Sequence, residues 1–192
     1  MAGLPDITVL VKNKSQNYKE CIYESDPQET INKVKDEIDH CTNLIKQAGA
    51  ITIFCTVTHA NLKQYNESLL SDNKTAFLKY TSLYANMQPS LNHTIDEINR
   101  HIAYTNKLQS VATPHCHSAI RKRSGNRGGR YILNWKGLRD GVHGTAATRM
   151  LWAKAISSSI RLNRKKLDSS NDDSDASPKR SWRRDTSTPS KN

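Results

Sequence analysis

Two short apolar segments separated by a long amphipathic stretch restrict the folds open to this chain of 192 residues. Ile7 to Val11 and Ile51 to Val57 are continuous, largely β-branched runs, a pattern typical of strands that are covered on both faces in a parallel sheet. Between Pro27 and Gly49, apolar residues recur every three or four positions, as on one face of an α-helix. A strand, a helix and a strand in this order predict a βαβ unit with parallel strands.

The second half of the chain predicts mainly helices. A helical region spans Thr75 to Gln109 and is expected to be interrupted at Pro89, because proline disfavours the preceding turn. Ser110 to Ala112 fits a short third strand, Tyr131 to Trp135 a small extended segment, and a last helix runs from Thr145 to Ile160. We therefore expect an α/β fold of three layers, with a short parallel sheet flanked by helices.

The carboxy-terminal residues have a different composition. From Asn163 onward Ser, Asp, Lys and Arg dominate, and the only large apolar residues are Leu167 and Trp182. So few apolar side chains cannot offset the entropy of ordering the chain, which predicts a disordered tail. The expected organisation is one domain at residues 1–162 and a tail at residues 163–192.

The net charge of +11 is concentrated in the second half of the chain. Residues 1–97 hold 9 Lys and Arg against 12 Asp and Glu, whereas residues 98–192 hold 20 against 6. No acidic residue lies between Glu97 and Asp140, and this interval contains a basic cluster that could attract nucleic acid or another polyanion: Arg121, Lys122, Arg123, Arg127 and Arg130. The alternative interpretation is a solvated basic loop.

The cysteines and the amino terminus bear on the compartment. The four cysteines, Cys21, Cys41, Cys55 and Cys116, show no Cys-x-x-Cys spacing, which favours free thiols in a reducing compartment. The apolar run at the amino terminus is too short for a signal peptide or a membrane span. We expect an intracellular protein, cytoplasmic or nuclear. Because His115-Cys116-His117 lacks a second ligand pair at a standard spacing, we expect no metal, and we expect no cofactor.

The segment LRDGVHGTAATRMLWAKAI, from Leu138 to Ile156, places Asp140-Gly-Val-His143 directly ahead of the last predicted helix. In this motif and in the order of its elements, the chain resembles the later part of the SGNH (GDSL-type) hydrolase domain, in particular divergent invertebrate members of mobile-element type. The resemblance implies that His143 is a general base and that Asp140 orients it.

The physical chemistry of the motif suits those roles. A carboxylate three residues before a histidine can accept its second ring proton and so fix its tautomer and charge. Gly141 permits the tight backbone between them. The alternative is an ordinary Asp-Gly turn ahead of a helix, with His143 as an exposed residue of no special role.

Two departures from the SGNH pattern bear on activity. The family's nucleophilic serine lies in a Gly-Asp-Ser motif, which this sequence does not contain. The family's Gly-x-Asn-Asp block aligns with Val11 to Lys14, where only Asn13 remains as a candidate oxyanion donor. Ser15 lacks the surroundings of a nucleophile. A base without a nucleophile cannot perform acyl transfer.

The predicted function is therefore a truncated or degenerate SGNH hydrolase-like domain without esterase activity. The alternative is a non-enzymatic protein that binds nucleic acid or another polyanion through residues 121–130 and the tail. Because the family's central strand has no counterpart here, Ile7 to Val11 would expose a sheet edge and could support self-association.

Overall fold

The computed structural model describes residues 8–13, 18–23, 26–69, 74–123 and 131–172. Four α-helices make up most of this part: α1 (Pro27–Gln47), α2 (Leu62–Leu69), α3 (Lys74–Leu108) and α4 (Ala146–Asp172). Four strands form two separate antiparallel pairs: β1 (Thr8–Asn13), β2 (Tyr18–Tyr23), β3 (Arg121–Arg123) and β4 (Tyr131–Leu133). None of the described helices is both long and apolar enough to cross a membrane.

Helix α1 begins and ends where the sequence pattern indicates. The Asp26 carboxylate accepts hydrogen bonds from the Gln28 and Glu29 backbone N–H groups at 2.9 and 3.0 Å, and so caps the first turn. Past the other end, Gly49 adopts a φ of +72°, which glycine tolerates best. Val34 and Ile38 are buried on the face that packs against α3.

Helix α3 runs continuously through Pro89, so the expected interruption is wrong. Proline inside a helix costs about 3 kcal/mol. Beyond Pro89, the residues Leu91, Ile95, Ile98 and Ile102 are at most 3 % exposed and form the centre of the core. Burying each such side chain stabilises the fold by about 1.5–3 kcal/mol, and together they outweigh the cost of the proline.

The expected α/β fold with a parallel sheet is also wrong. Strand β1 does cover most of the predicted segment Ile7 to Val11, but it pairs antiparallel with β2 in a hairpin, with Thr8 opposite Tyr23 and Asn13 opposite Tyr18. The hairpin partner supplies the hydrogen bonds that a parallel neighbour was expected to provide. The second predicted strand, Ile51 to Val57, has no strand partner in the described residues.

Ile51 to Val57 is held instead by amide side chains of α3. Asn106 accepts from the Phe54 N–H at 3.0 Å and donates to the Phe54 carbonyl at 2.8 Å. In the same way, Asn99 accepts from the Val57 N–H at 2.7 Å and donates to the Val57 carbonyl at 2.8 Å. Since side chains satisfy these backbone groups, no adjacent strand is required on that side. Self-association through a sheet edge remains a prediction.

The last helix extends beyond its predicted end at Ile160. Helix α4 continues to Asp172, past the boundary expected at residue 162. Asn163, the first residue of the predicted tail, is 6 % exposed, and its side chain accepts a hydrogen bond from the Ala112 N–H at 2.7 Å. Ala112 ends the predicted third strand, Ser110 to Ala112, and these three residues form no strand in the structure. Residues 173–192 of the predicted tail lie outside the described residues.

Candidate functional site at the Asp140 turn

Residues 138–144 form a tight turn directly ahead of α4. Leu138 and Gly144 make an antiparallel bridge, and the Arg139 N–H donates to the His143 carbonyl at 2.7 Å. The Thr145 hydroxyl then accepts from the Thr148 N–H at 3.3 Å and caps the helix. This arrangement places His143 three residues before the first residue of α4 and fixes its backbone direction.

The side chains of Asp140 and His143 are in contact, as their spacing predicts. Nδ1 of His143 lies 2.8 Å from Oδ2 of Asp140, while Oδ1 accepts from the His143 and Val142 N–H groups at 2.8 and 3.2 Å. Although burial acts to raise it, these hydrogen bonds lower the pKa of the Asp140 carboxyl to about 2. An ionised Asp140 accepts the Nδ1 proton at neutral pH, so the second nitrogen, Nε2, is available as a base on a side chain that is 66 % exposed. The catalytic role of His143 stays a prediction.

The turn is docked on the start of α2. The Asn61 N–H donates to the Gly141 carbonyl at 2.8 Å, and the Gln64 amide donates to the carbonyls of Leu138 and Arg139 at 3.1 and 3.3 Å. Gly141 has a φ of +85°, and a Cβ there would lie 2.4 Å from the Asn61 carbonyl oxygen. Only glycine permits this approach. The sequence predicted a tight backbone at Gly141, but it did not predict the contact with α2.

A cavity of about 390 Å³ opens beside the turn and the first turns of α4. His143 and Thr145 border it, and so do two arginines, Arg139 and Arg149, together with the indole of Trp152. Arg139 lies 3.8 Å from Oδ2 of Asp140 and is 76 % exposed. The histidine thus faces an open cavity with cationic walls, large enough for a small ligand.

The predicted basic cluster is divided by the fold. The Arg121 guanidinium donates to Asp96 at 2.7 Å and is only 29 % exposed, so its charge is already paired. Lys122 and Arg123 are exposed on β3, and the Arg123 guanidinium lies 6.0 Å from the ring centroid of Tyr131 on β4. Arg127 and Arg130 lie outside the described residues.

Around Arg121 lies a buried polar cluster that sequence reasoning missed. Nε2 of His59 is 3.1 Å from Asp96, and His59 is 2 % exposed, with no hydrogen-bond partner at Nδ1 among the residues that the structure describes. His117 contacts the Thr56 hydroxyl at 2.9 Å. Burial, reinforced by the Arg121 charge, lowers the pKa of His117 to about 4, and burial lowers that of His59 as well. Both histidines are therefore neutral at pH 7.

The other candidate residues do not extend the site. Asn13 is the last residue of β1, and its side chain lies outside the described part of the structure, as does Ser15. His115 and His117 have their ring centroids 5.7 Å apart. Within the described ranges, no three His, Cys, Asp or Glu side chains come together in a way that could hold a metal ion.

Comparison with models of known protein families, with curated proteins and with solved structures found no match for this chain. The SGNH interpretation therefore rests on the Asp140 to His143 motif and on the geometry that this motif adopts.

Proposed function

We propose that this chain carries the residual base of a hydrolase-like site, with His143 oriented by Asp140, and that it has no esterase activity of its own. The interpretation as a degenerate SGNH-type site concerns this pair only, because the described residues contain no parallel sheet of the kind that the resemblance implied. The 2.8 Å contact between Nδ1 and Oδ2 is the observation that carries the proposal.

The chemistry of the pair follows from its charges. An ionised Asp140 holds Nδ1–H, so Nε2 takes a proton from a bound hydroxyl, and the carboxylate stabilises the resulting imidazolium. Acyl transfer also needs a nucleophile, and the sequence has no Gly-Asp-Ser motif to supply one. Asn13 remains a candidate oxyanion donor, and one donor alone would leave that part of the site weak.

The tautomer of His143 tests the pair directly. We expect nitrogen-15 NMR to show Nδ1–H at His143 and, by contrast, Nε2–H at neutral His101, whose Nε2 lies 2.8 Å from Asp39. Asp140→Ala should abolish the Nδ1–H preference at His143, whereas the matched variant Asp39→Ala should leave it unchanged. An Nδ1–H preference that survives Asp140→Ala would remove the carboxylate from its proposed role.

The same proposal predicts no hydrolysis of short activated acyl esters above the rate of a His143→Ala variant, because the nucleophile is missing. The measurement is the initial rate of ester cleavage by both proteins at equal concentration. If the unmodified chain were faster, a nucleophile would be present, and Ser15→Ala would be the first variant to examine.

We also propose a second function, the binding of single-stranded nucleic acid at the hairpin formed by β3 and β4. Lys122 and Arg123 are exposed, and Tyr131 is 57 % exposed beside the Arg123 guanidinium. A cation next to an exposed ring is the combination that contacts phosphates and stacks on bases. Arg127 and Arg130 belong to the same basic stretch of the sequence, and the tail adds further Lys and Arg residues.

The salt dependence of binding separates this function from nonspecific attraction. Lys122→Gln or Arg123→Gln should each lower the slope of log affinity against log salt by about 1, since each phosphate contact releases counterions. Arg121→Gln removes the same charge from a side chain that is paired with Asp96, and should leave the slope unchanged. Circular dichroism would verify that each variant is folded. Equal effects at all three positions would contradict the hairpin site.

A further inference from the structure

The described lining of the cavity beside His143 is positively charged. Two arginines, Arg139 and Arg149, line it, and its described lining contains no aspartate or glutamate. Arg149 forms no ion pair with any described residue. Among the described carboxylates, Arg139 approaches that of Asp140, at 3.8 Å, and this carboxylate oxygen is already bonded to His143 at 2.8 Å. The positive charge in the wall is therefore largely unbalanced, and a neutral ligand would make no use of it.

One wall of the cavity is the indole of Trp152. The ring packs closely against the turn, because a Cβ on Gly144 would lie only 2.7 Å from it. The indole is uncharged, so the charge of the described lining comes from the two arginines.

The first turn of α4 adds a smaller contribution of the same sign. It contains no acidic residue, so its backbone N–H groups are not offset by a local carboxylate. The arginines and the helix start both favour one kind of group, an anion with several acceptor oxygens. Guanidinium groups bind carboxylates and phosphates through paired hydrogen bonds.

We propose that this cavity binds a phosphate or carboxylate group of a small ligand through Arg139 and Arg149, so that the molecule presented to His143 is anionic. The role of His143 in this statement rests on the proposed function, whereas anion binding by the two arginines does not. The ligands expected at this site are therefore small molecules that carry a negative group next to the part that faces the histidine.

Titration of the full chain with inorganic phosphate, and separately with acetate, at constant ionic strength tests the proposal. We expect saturable NMR shifts at the Gly144 and Ala146 amides. Arg139→Gln and Arg149→Gln should each weaken binding about tenfold or more, because a charge-assisted contact is lost. Preference for phosphate or for acetate identifies which anion the site favours.

Arg161→Gln is the matched control, because it removes an exposed arginine from the same helix outside the cavity lining. Its affinity for phosphate should stay within about twofold of the unmodified chain. Equal weakening by Arg161→Gln, or shifts spread over the whole basic surface, would overturn the proposal. Absence of binding together with an intact Nδ1–H tautomer at His143 would reject the anion site and leave the proposed function standing.

Discussion

Replacement of Asn106 by aspartate is expected to lower the free energy of unfolding by about 3 kcal/mol at pH 7. Asn106 is 0 % exposed, and its amide nitrogen donates to the Phe54 carbonyl at 2.8 Å and to the Thr113 hydroxyl at 3.1 Å. Aspartate has nearly the same shape, but when ionised it has no donor. The ionised side chain would therefore place a buried negative charge beside the Phe54 carbonyl oxygen, to which the Asn106 amide donates a hydrogen bond.

The loss should depend on pH in a defined direction. Burial raises the pKa of a carboxyl above its unfolded value of about 3.9, so the folded variant resists ionisation that the unfolded chain undergoes freely. The stability of Asn106→Asp relative to the unmodified chain should therefore fall as pH rises from about 4 to 7, and recover at low pH, where the protonated group can donate.

Denaturant unfolding at several pH values measures this effect. Asn134→Asp, at an exposed position, makes the same chemical change and should alter stability by less than about 0.5 kcal/mol. A loss at Asn106 no larger than at Asn134 would mean that the Asn106 side chain does not hold the segment Ile51 to Val57.

The segment Ile51 to Val57 also explains why the fold could be predicted only in part. Its β-branched composition predicted a strand, and the structure has neither strand nor helix there. Composition does not specify what satisfies the backbone groups. Here Asn99 and Asn106, two turns apart on α3, take the place of a neighbouring strand, and neither residue carries a local signal for this role.

Helix ends were misjudged for a related reason. Pro89 disfavours a helix and the polar residues after Ile160 favour a loop, as judged from their neighbours alone. Packing of the buried stripe beyond Pro89, and the contact of Asn163 with Ala112, decide otherwise. Tertiary contacts of this kind commonly override local preference.

The candidate site, too, could be predicted only where its contacts join residues close together in the sequence. The contact between Asp140 and His143 joins residues three positions apart, and their spacing together with the resemblance to the SGNH pattern predicted it. The docking of the turn on Asn61, and the cluster of His59 with Asp96, join segments that are remote in the sequence. The charge of the cavity depends on Arg149, whose position is set by helix α4.

Gly141→Ala should have the second large effect, a loss of about 3 kcal/mol or more in the free energy of unfolding. Two costs add at this position. The φ of +85° is unfavourable for any residue with a Cβ, and that atom would lie 2.4 Å from the Asn61 carbonyl oxygen and 2.5 Å from the Tyr65 nitrogen. Both neighbours are backbone atoms at the start of α2, so neither can turn aside as a side chain could.

Gly49→Ala separates the two costs, because Gly49 has a similar φ of +72° and nothing within 4 Å of the added Cβ. This variant should lose only about 1 kcal/mol, the conformational cost alone. The remainder of the loss at Gly141 then measures the docking of the turn on α2. Because that docking positions the turn, Gly141→Ala should also weaken the Nδ1–H preference of His143, which Gly49→Ala should preserve. Equal losses of stability in the two variants would show that the turn does not depend on α2 for its position, since strain at φ would account for both.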